Sequence, residues 1–247
     1  MDKDNPSGIY LLPNLLTTAS LFAAFYSLVS SVKGYYEAAI VAMFIGMIAD
    51  SLDGRIARLT NTQTEFGAEY DSLSDMVTFG VAPSLLLYQL TLSHLGKFGW
   101  LVAFVYTAAV ALRLARFNVQ HIVADKRYFT GLPCPPSAAV MSAFAWICFQ
   151  HDWHNYALVS YLTAILALCS AALMVSNIRY YSFKEVDFKG KVNSLYVLGI
   201  ILTFVAIAAD PAMVLFLVAA VYAFYAPMMA CMRVRRIRKG LSKPKEQ

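Results

Sequence analysis

The sequence is poor in charged residues for its length. Asp, Glu, Lys and Arg make up 14% of the 247 residues, whereas hydrophobic residues make up 59%. Soluble domains average about 25% charged and about 45–50% apolar residues. This composition excludes a disordered chain, a collagen and almost any soluble enzyme. It predicts an integral membrane protein of the all-α class.

Cysteine is also scarce, with four residues and no Cys-x-x-Cys pair. This excludes a disulfide scaffold and predicts that the cysteines are small apolar fillers. The sequence has no internal repeat and no basic segment followed by a short apolar run near its start, so no cleaved signal peptide is predicted. We expect a single membrane domain over residues 1–247, with a basic tail at 233–247.

Apolar runs that approach the length of a spanning helix occur eight times. They are Leu15–Val32, Ala38–Leu59, Ser72–Leu95, Trp100–Val119, Ser137–Phe149, Tyr156–Val175, Ser194–Ala209 and Ala212–Met232. Pro83 predicts a kink in the third run, because proline removes one backbone hydrogen bond. The pattern therefore predicts a bundle of about eight transmembrane helices.

Basic residues are divided unequally between the two sides that eight spans would create. Lys33 and Lys97 fall on one side, and the other 18 of the 20 Lys and Arg residues fall on the other. Basic residues accumulate on the cytoplasmic side of membrane proteins. We expect a multi-pass protein of the cell (inner) membrane with both termini cytoplasmic. The net charge of +5 then needs anionic lipid, and no nucleic acid, as its partner.

Four aspartates flank the connection between the second and third spans. Asp50 and Asp53 are three residues apart, and Asp71 and Asp75 are four apart, so each pair lies on one helix face. Carboxylates this close repel one another unless a cation neutralises them. Oxygen ligands without His or Cys favour a hard divalent ion such as Mg²⁺ or Mn²⁺, and four carboxylates can hold two. The sequence thus predicts a metal site in a polar, cytoplasm-facing cavity.

Eight residues fixed over 26 positions reproduce a known signature. The pattern reads Asp50-x2-Asp53-Gly54-x2-Ala57-Arg58-x8-Gly67-x3-Asp71-x3-Asp75. It resembles the signature of the CDP-alcohol phosphatidyltransferases. The resemblance implies a membrane-embedded helical bundle that transfers a phosphatidyl group from a CDP-linked lipid to an alcohol and releases CMP.

The resemblance also implies roles for individual residues. All four aspartates would bind metal, and Asp75 would in addition accept the proton of the attacking hydroxyl. The residues implied to contact CDP or its phosphates are Pro13, Asn14, Thr17, Gly54, Ala57, Arg58, Thr64 and Gly67. Two alternatives stay open at this point: Gly54 and Ala57 as small residues in helix packing, and Asn14 as a helix N-cap.

Three later segments resemble the integral-membrane phosphatidylserine synthases of this family, except at Cys134-Pro135-Pro136. They are Leu112–Asn118, Phe129–Pro135 and Ser176–Lys184. The resemblance implies CDP-diacylglycerol and L-serine as substrates and phosphatidylserine and CMP as products. Serine carries a carboxylate, for which Arg113, Arg116 and Arg179 are the candidate cations. Each arginine has the alternative of contacting lipid phosphates at the interface.

Other interpretations of the same features stay open. Within the family, glycerol 3-phosphate or inositol phosphate would also require cationic pockets. An ion-coupled transporter would also place acidic residues near a membrane, although such sites usually lie at the midplane of repeated helices. The resemblance further implies a homodimer, and nothing in the motif specifies the chemistry of the lipid tails.

Overall fold

The computed structural model describes residues 11–60, 62–120, 128–181, 199 and 205–241, which are almost entirely helical. The α-helices of these ranges are α1 (Leu11–Val32), α2 (Tyr36–Leu59), α3 (Glu65–Asp75), α4 (Ala82–Leu90), α5 (Lys97–Gln120), α6 (Cys134–Gln150), α7 (Ala157–Val175) and α8 (Pro211–Leu241). Two short 3-10 turns, Leu92–Leu95 and Trp153–Asn155, follow α4 and α6. Residues 205–209 are also helical. The predicted all-α class is confirmed.

Four helices in the described part of the chain are long and apolar enough to cross a membrane. Their apolar stretches are Leu12–Val32, Lys97–Val119, Ala157–Val175 and Pro211–Met229. Large apolar side chains such as Phe22, Phe104 and Leu158 lie exposed on the outer faces of these helices, as lipid-facing residues do. The chain is therefore a helical membrane protein. The count of eight spans stays a prediction, because α4 and α6 have only 9 and 17 residues and the run Ser194–Ala209 lies largely outside the described residues.

The third predicted span is an interrupted helix. A wide π-helical turn, Met76–Val81, joins α3 to α4, and Pro83 follows in the first turn of α4. Pro83 has no N–H for the carbonyl of Phe79, four residues earlier, and the hydroxyl of Tyr106 donates to that oxygen instead at 3.2 Å. The helix is thus widened directly before Pro83, where the sequence predicts a kink. The widened turn begins directly after Asp75.

Small residues bring α1 close to α2 beneath the acidic end of the bundle. The hydroxyl of Ser20 donates to the carbonyl oxygen of Gly46 at 2.9 Å. A Cβ on Gly46 would lie 3.4 Å from the Ser20 carbonyl oxygen and 3.6 Å from the Cβ of Ala23. Close helix approach through small residues is the usual packing mode in membranes. It fixes α2, which carries Asp53, against α1.

A two-stranded antiparallel ribbon lies beside the helices. Strand β1 (Tyr128–Thr130) pairs with β2 (Arg179–Tyr181), with Phe129 opposite Tyr180. The loop after β1 bonds to the segment that follows α7, through the N–H of Gly131 and the Ile178 carbonyl at 2.8 Å, and to α7 itself, through the N–H of Leu132 and the Leu173 carbonyl at 3.0 Å. Neither strand is predicted from the sequence, since a three-residue strand shows no readable alternation.

Gly131 should tolerate alanine less well than Gly34 does. Both have positive φ, +82° and +78°, so each alanine variant incurs about 1–2 kcal/mol of left-handed strain. A Cβ on Gly131 would also clash with the Met174 carbonyl oxygen, whereas nothing lies within 4 Å of one on Gly34. We expect Gly131→Ala to lower the thermal midpoint in detergent by at least about 4 °C more than Gly34→Ala does. Equal midpoints would contradict the close approach.

Candidate active site

A cavity of about 1130 Å³ lies where the acidic end of α2 meets α3, α5, α6 and α8. All four aspartates of the signature line it, together with Arg113 from α5. The lining also includes Arg55 and Arg58 of α2 and apolar residues such as Phe117, Ala139 and Val218. A large cavity with a few converging polar groups in apolar walls is the usual form of a ligand site.

The aspartates converge as their spacing predicts. One carboxylate oxygen from each of Asp50, Asp53 and Asp71 lies within 4.8 Å of the others. Asp75 joins them, because its carboxyl group lies close to that of Asp50. Two helices therefore concentrate four acids in one place.

Two carboxylate oxygens of these aspartates have surroundings that suit a bound cation. Asp71 Oδ1 and Asp75 Oδ1 are buried, and no described residue donates a hydrogen bond to either. Burial and then the charges of Asp53 and Asp50 raise the pKa of Asp71, which precedes the third predicted span, to about 7. Burying carboxylate oxygens without hydrogen-bond donors costs free energy unless a positive ion binds to them. Oxygen-only donors of this kind suit Mg²⁺, Mn²⁺ or Ca²⁺.

Thr17 forms a hydrogen bond with one of the four aspartates, Asp53. Thr17 is only 4% exposed, and its hydroxyl donates to Asp53 Oδ2 at 2.7 Å. The hydroxyl of Ser74, on α3, donates in turn to the Thr17 carbonyl at 3.2 Å. The resemblance implies that Thr17 contacts CDP. The structure instead places its hydroxyl on a metal-ligand candidate and outside the lining of the cavity.

The remaining nucleotide candidates divide into two groups. Gly54 and Arg58 line the cavity, and a Cβ on Gly54 would meet nothing within 4 Å. The alternative that Gly54 packs against a helix has no support, because no residue of another described helix lies within 4 Å of that Cβ position. The Nε of Arg58 donates to the Gly54 carbonyl at 2.8 Å, which holds the guanidinium at the mouth of the cavity. Ala57, on the same helix, is half-buried and does not line it.

The second group lies beside the cavity, between α1 and α3. Thr64 is the N-cap of α3 and accepts from the N–H of Gly67 at 3.0 Å. A Cβ on Gly67 would lie 3.4 Å from Asn14 Oδ1, so Asn14 and Gly67 are neighbours. The carbonyl of Pro13 lies 3.1 Å from the Thr17 hydroxyl. Asn14 itself lies inside α1, which begins at Leu11, so it is not the N-cap of that helix.

The three candidate arginines have different surroundings. Arg113 is 8% exposed; its Nε donates to the Leu132 carbonyl at 2.8 Å, and its Nη1 lies 3.5 Å from the Cys134 sulfur. Its guanidinium carbon also lies 5.8 Å from the centre of the Phe117 ring. Arg113 is thus a fixed, buried cation in the wall that also contains the aspartates.

Arg116 faces the end of α7 and does not line the cavity. It donates to the carbonyls of Val175 and Ser176 at 3.3 and 3.4 Å and to Asn177 Oδ1 at 2.7 Å. A cation at a helix C-terminus satisfies carbonyls that have no partner within the helix. The backbone of Arg179 lies in β2 opposite Thr130, and its side chain is outside the described residues.

Several lining residues are not predicted from the sequence. Leu215, Val218 and Tyr222 of α8 form one wall, and Cys134 and Phe117 flank Arg113. Apolar residues in a spanning helix carry no signal that separates a cavity wall from a lipid-facing surface. Only the fold brings α8 to the aspartates.

Comparison with known proteins supplies the family. The sequence-family model of the CDP-alcohol phosphatidyltransferases matches residues 10–176 of this chain. The chain belongs to this family. The earlier resemblance is confirmed, and because the family consists of enzymes that use divalent metals, the transporter interpretation has no support.

Named members of the family align along most of the chain. It is 37% identical over 202 residues to a CDP-diacylglycerol–serine O-phosphatidyltransferase of Helicobacter pylori, covering 80% of this chain and 83% of that one. It is 34% identical over 182 residues to an archaetidylserine synthase of Methanothermobacter thermautotrophicus, covering 73% of each. A CDP-diacylglycerol–serine O-phosphatidyltransferase of Methanocaldococcus jannaschii is 40% identical over 139 residues, which are 56% of this chain and 61% of that one.

Proposed function

We propose that the protein transfers the phosphatidyl group of CDP-diacylglycerol to the hydroxyl of L-serine, giving phosphatidylserine and CMP. The observation that carries this proposal is the buried guanidinium of Arg113 in the same cavity as the four aspartates. The aspartates serve the transfer that the whole family performs, and a fixed cation beside them suits an acceptor that carries a carboxylate. The names of the aligned relatives support the same acceptor.

Asp50, Asp53, Asp71 and Asp75 are the residues that would hold divalent cations, Mg²⁺ or Mn²⁺, with two in each site. Bound there, the ions would neutralise the donor pyrophosphate and the charge that develops on the departing CMP. Thr17 contributes indirectly, because its hydroxyl fixes the orientation of the Asp53 carboxylate.

Asp75 is the general base of this proposal. The serine hydroxyl oxygen forms a bond to the phosphorus that carries diacylglycerol, and the bond from that phosphorus to the CMP phosphate breaks. Asp75 accepts the hydroxyl proton, and CMP leaves with the electron pair. Two observations support the assignment: Asp75 lines the cavity beside the other three aspartates, and its buried Oδ1 has no donor among the described residues.

The donor nucleotide would lie along the exposed end of α2. Gly54 leaves its backbone accessible, and Arg58 at the cavity mouth can pair with a phosphate. Ala57 lies on the same helix. Pro13, Asn14, Thr64 and Gly67 would complete the nucleotide site from the side of α1 and α3. The distribution of basic residues supports a cytoplasmic cavity and cytoplasmic termini, and we propose a homodimer by resemblance to the family.

Arg113→Lys should raise the KM for L-serine by about 10-fold or more and change the KM for CDP-diacylglycerol by less than about 2-fold. A lysine ammonium cannot reproduce the planar fork that fits a carboxylate. Arg116→Lys is the matched control, because Arg116 caps α7 and lies outside the cavity lining. Initial rates in mixed micelles measure both constants. Equal changes in the two constants for Arg113→Lys would remove it from the serine site.

An acceptor panel tests the proposed reaction. CMP release by the purified protein is measured with CDP-diacylglycerol, Mg²⁺ or Mn²⁺, and one acceptor at a time: L-serine, glycerol 3-phosphate or inositol phosphate. We expect release with L-serine only, and only with metal. Release with one of the phosphate-bearing acceptors instead would keep the family assignment and overturn the serine assignment.

A further inference from the structure

Pro227 interrupts the hydrogen bonding of α8 next to the cavity. It lies inside the helix and has no N–H for the carbonyl of Ala223, four residues earlier. The hydroxyl of Tyr180 donates to that carbonyl oxygen at 3.0 Å, and Tyr180 is only 1% exposed. Backbone groups freed by proline in a membrane helix need such a partner, because no water is present to supply one.

Tyr180 belongs to the ribbon and not to a helix. It lies in β2 opposite Phe129, and the loop that follows β1 bonds to the end of α7 through the N–H of Leu132. The bond from Tyr180 therefore joins α8 to a part of the molecule that is already fixed. The rings of Tyr180 and Tyr222 also contact each other, with 6.0 Å between their centres.

The bonded carbonyl directly follows a cavity-lining residue. Leu215, Val218 and Tyr222 are spaced three and four apart, so they lie on one face of α8, and all three line the cavity. Val218 is nevertheless 59% exposed in the isolated chain. This face thus forms an apolar wall between the aspartates and the surrounding lipid.

We propose that Tyr180 is a positioning residue for this wall. Its hydroxyl replaces the helical bond that Pro227 removes, and it thereby holds α8 in the rotation that turns Tyr222 and Val218 toward the cavity. The ligand that this wall contacts is the lipid part of the donor. The inference rests on the proposed function in one respect, namely that the donor is a lipid with its phosphates at the aspartates.

Tyr180→Phe tests the role in binding. We expect it to raise the KM for CDP-diacylglycerol by roughly 3- to 10-fold, the equivalent of one hydrogen bond, and to change kcat by less than about 2-fold. The matched control is Tyr36→Phe. Its hydroxyl also donates to a backbone carbonyl, that of Gln89 at 3.2 Å, but it lies at the opposite end of α2 from the aspartates. An unchanged donor KM for Tyr180→Phe, or an equal rise for Tyr36→Phe, would overturn the proposal.

A double-mutant cycle with Pro227→Ala separates the hydrogen bond from general packing. Alanine restores the N–H that the Ala223 carbonyl lacks, so adding Tyr180→Phe in that background should change the donor KM and the thermal midpoint far less than in the wild-type background. Equal effects in both backgrounds would show that Tyr180 does not act through this carbonyl. The measurement of the thermal midpoint does not require that the enzyme is active. If the wild-type protein releases no CMP with L-serine, the proposed function fails while the coupling of Tyr180 to Pro227 is still measured.

Discussion

Asp75→Asn is expected to lower kcat for CMP release by about 10²- to 10⁴-fold, the usual contribution of a general base. Asparagine has nearly the same shape as aspartate, but its amide cannot accept the proton of the attacking hydroxyl. Asp75 is half-buried close to Asp50, and the asparagine amide can donate to that carboxylate. At saturating metal concentration, we expect the variant to fold and to bind CDP-diacylglycerol. Steady-state rates and equilibrium binding of a CDP-lipid measure the two properties separately.

Glu69→Gln is the control for this prediction. Glu69 lies on the same helix, loses the same charge on substitution, and is exposed to solvent outside the cavity lining. Its rate should stay within about 2-fold of the wild-type rate. A rate for Asp75→Asn within about 10-fold of wild type would show that another group removes the proton.

Asp71→Asn is expected to weaken divalent-metal binding by roughly 100-fold or more. Even the outer partners of metal ligands contribute about 10- to 100-fold in affinity, and Asp71 is itself one of three acids whose oxygens lie within 4.8 Å of each other. The measurement is the thermal midpoint as a function of Mn²⁺ concentration, since a ligand at about 100 times its Kd stabilises a folded protein by about 2.7 kcal/mol. Wild-type protein should show this rise, and Asp71→Asn should show little.

Glu65→Gln serves as the matched variant for the metal titration. Glu65 opens the same helix and is exposed, so its titration should overlay that of the wild type. A full Mn²⁺-dependent rise in Asp71→Asn would contradict the assignment of Asp71 as a ligand. Because this experiment requires no substrate, it tests the metal site independently of the acceptor.

The acidic part of the site could be predicted because helix periodicity fixes it. Spacings of three and four place Asp50 with Asp53 and Asp71 with Asp75, and the short connection between their helices brings the pairs together. The interruption of the helix near Pro83 could be predicted for a similar reason, since proline removes a backbone hydrogen bond whatever surrounds it. These are local rules that a sequence states directly.

Features that depend on distant contacts could not be predicted. Arg113 and Arg116 are one helical turn apart and have the same chemistry, yet one lines the cavity and the other caps α7. The difference arises from where the end of α7 packs, which the pattern of α5 does not contain. In the same way, only the crossing of α1 and α2 directs the Thr17 hydroxyl toward Asp53.

The apolar wall that α8 contributes to the cavity also could not be predicted from the sequence. In a membrane helix, the lipid-facing and protein-facing sides are equally apolar, so the hydrophobic pattern that reveals a buried face in a soluble helix is weak here. Tyr222 and Val218 therefore look like ordinary spanning residues in the sequence. Their place beside the aspartates follows from the packing of α8 on α6 and from the bond between Tyr180 and the Ala223 carbonyl.

The most direct test of the proposed activity is the fate of isotope-labelled serine. Purified protein is incubated with CDP-diacylglycerol, Mn²⁺ and ¹³C-labelled L-serine, and mass spectrometry quantifies labelled phosphatidylserine against released CMP. The proposed transfer predicts equal molar amounts of the two products, and neither product when the metal is chelated. CMP without labelled phosphatidylserine would contradict it, because the phosphatidyl group would then have gone to water or to another acceptor.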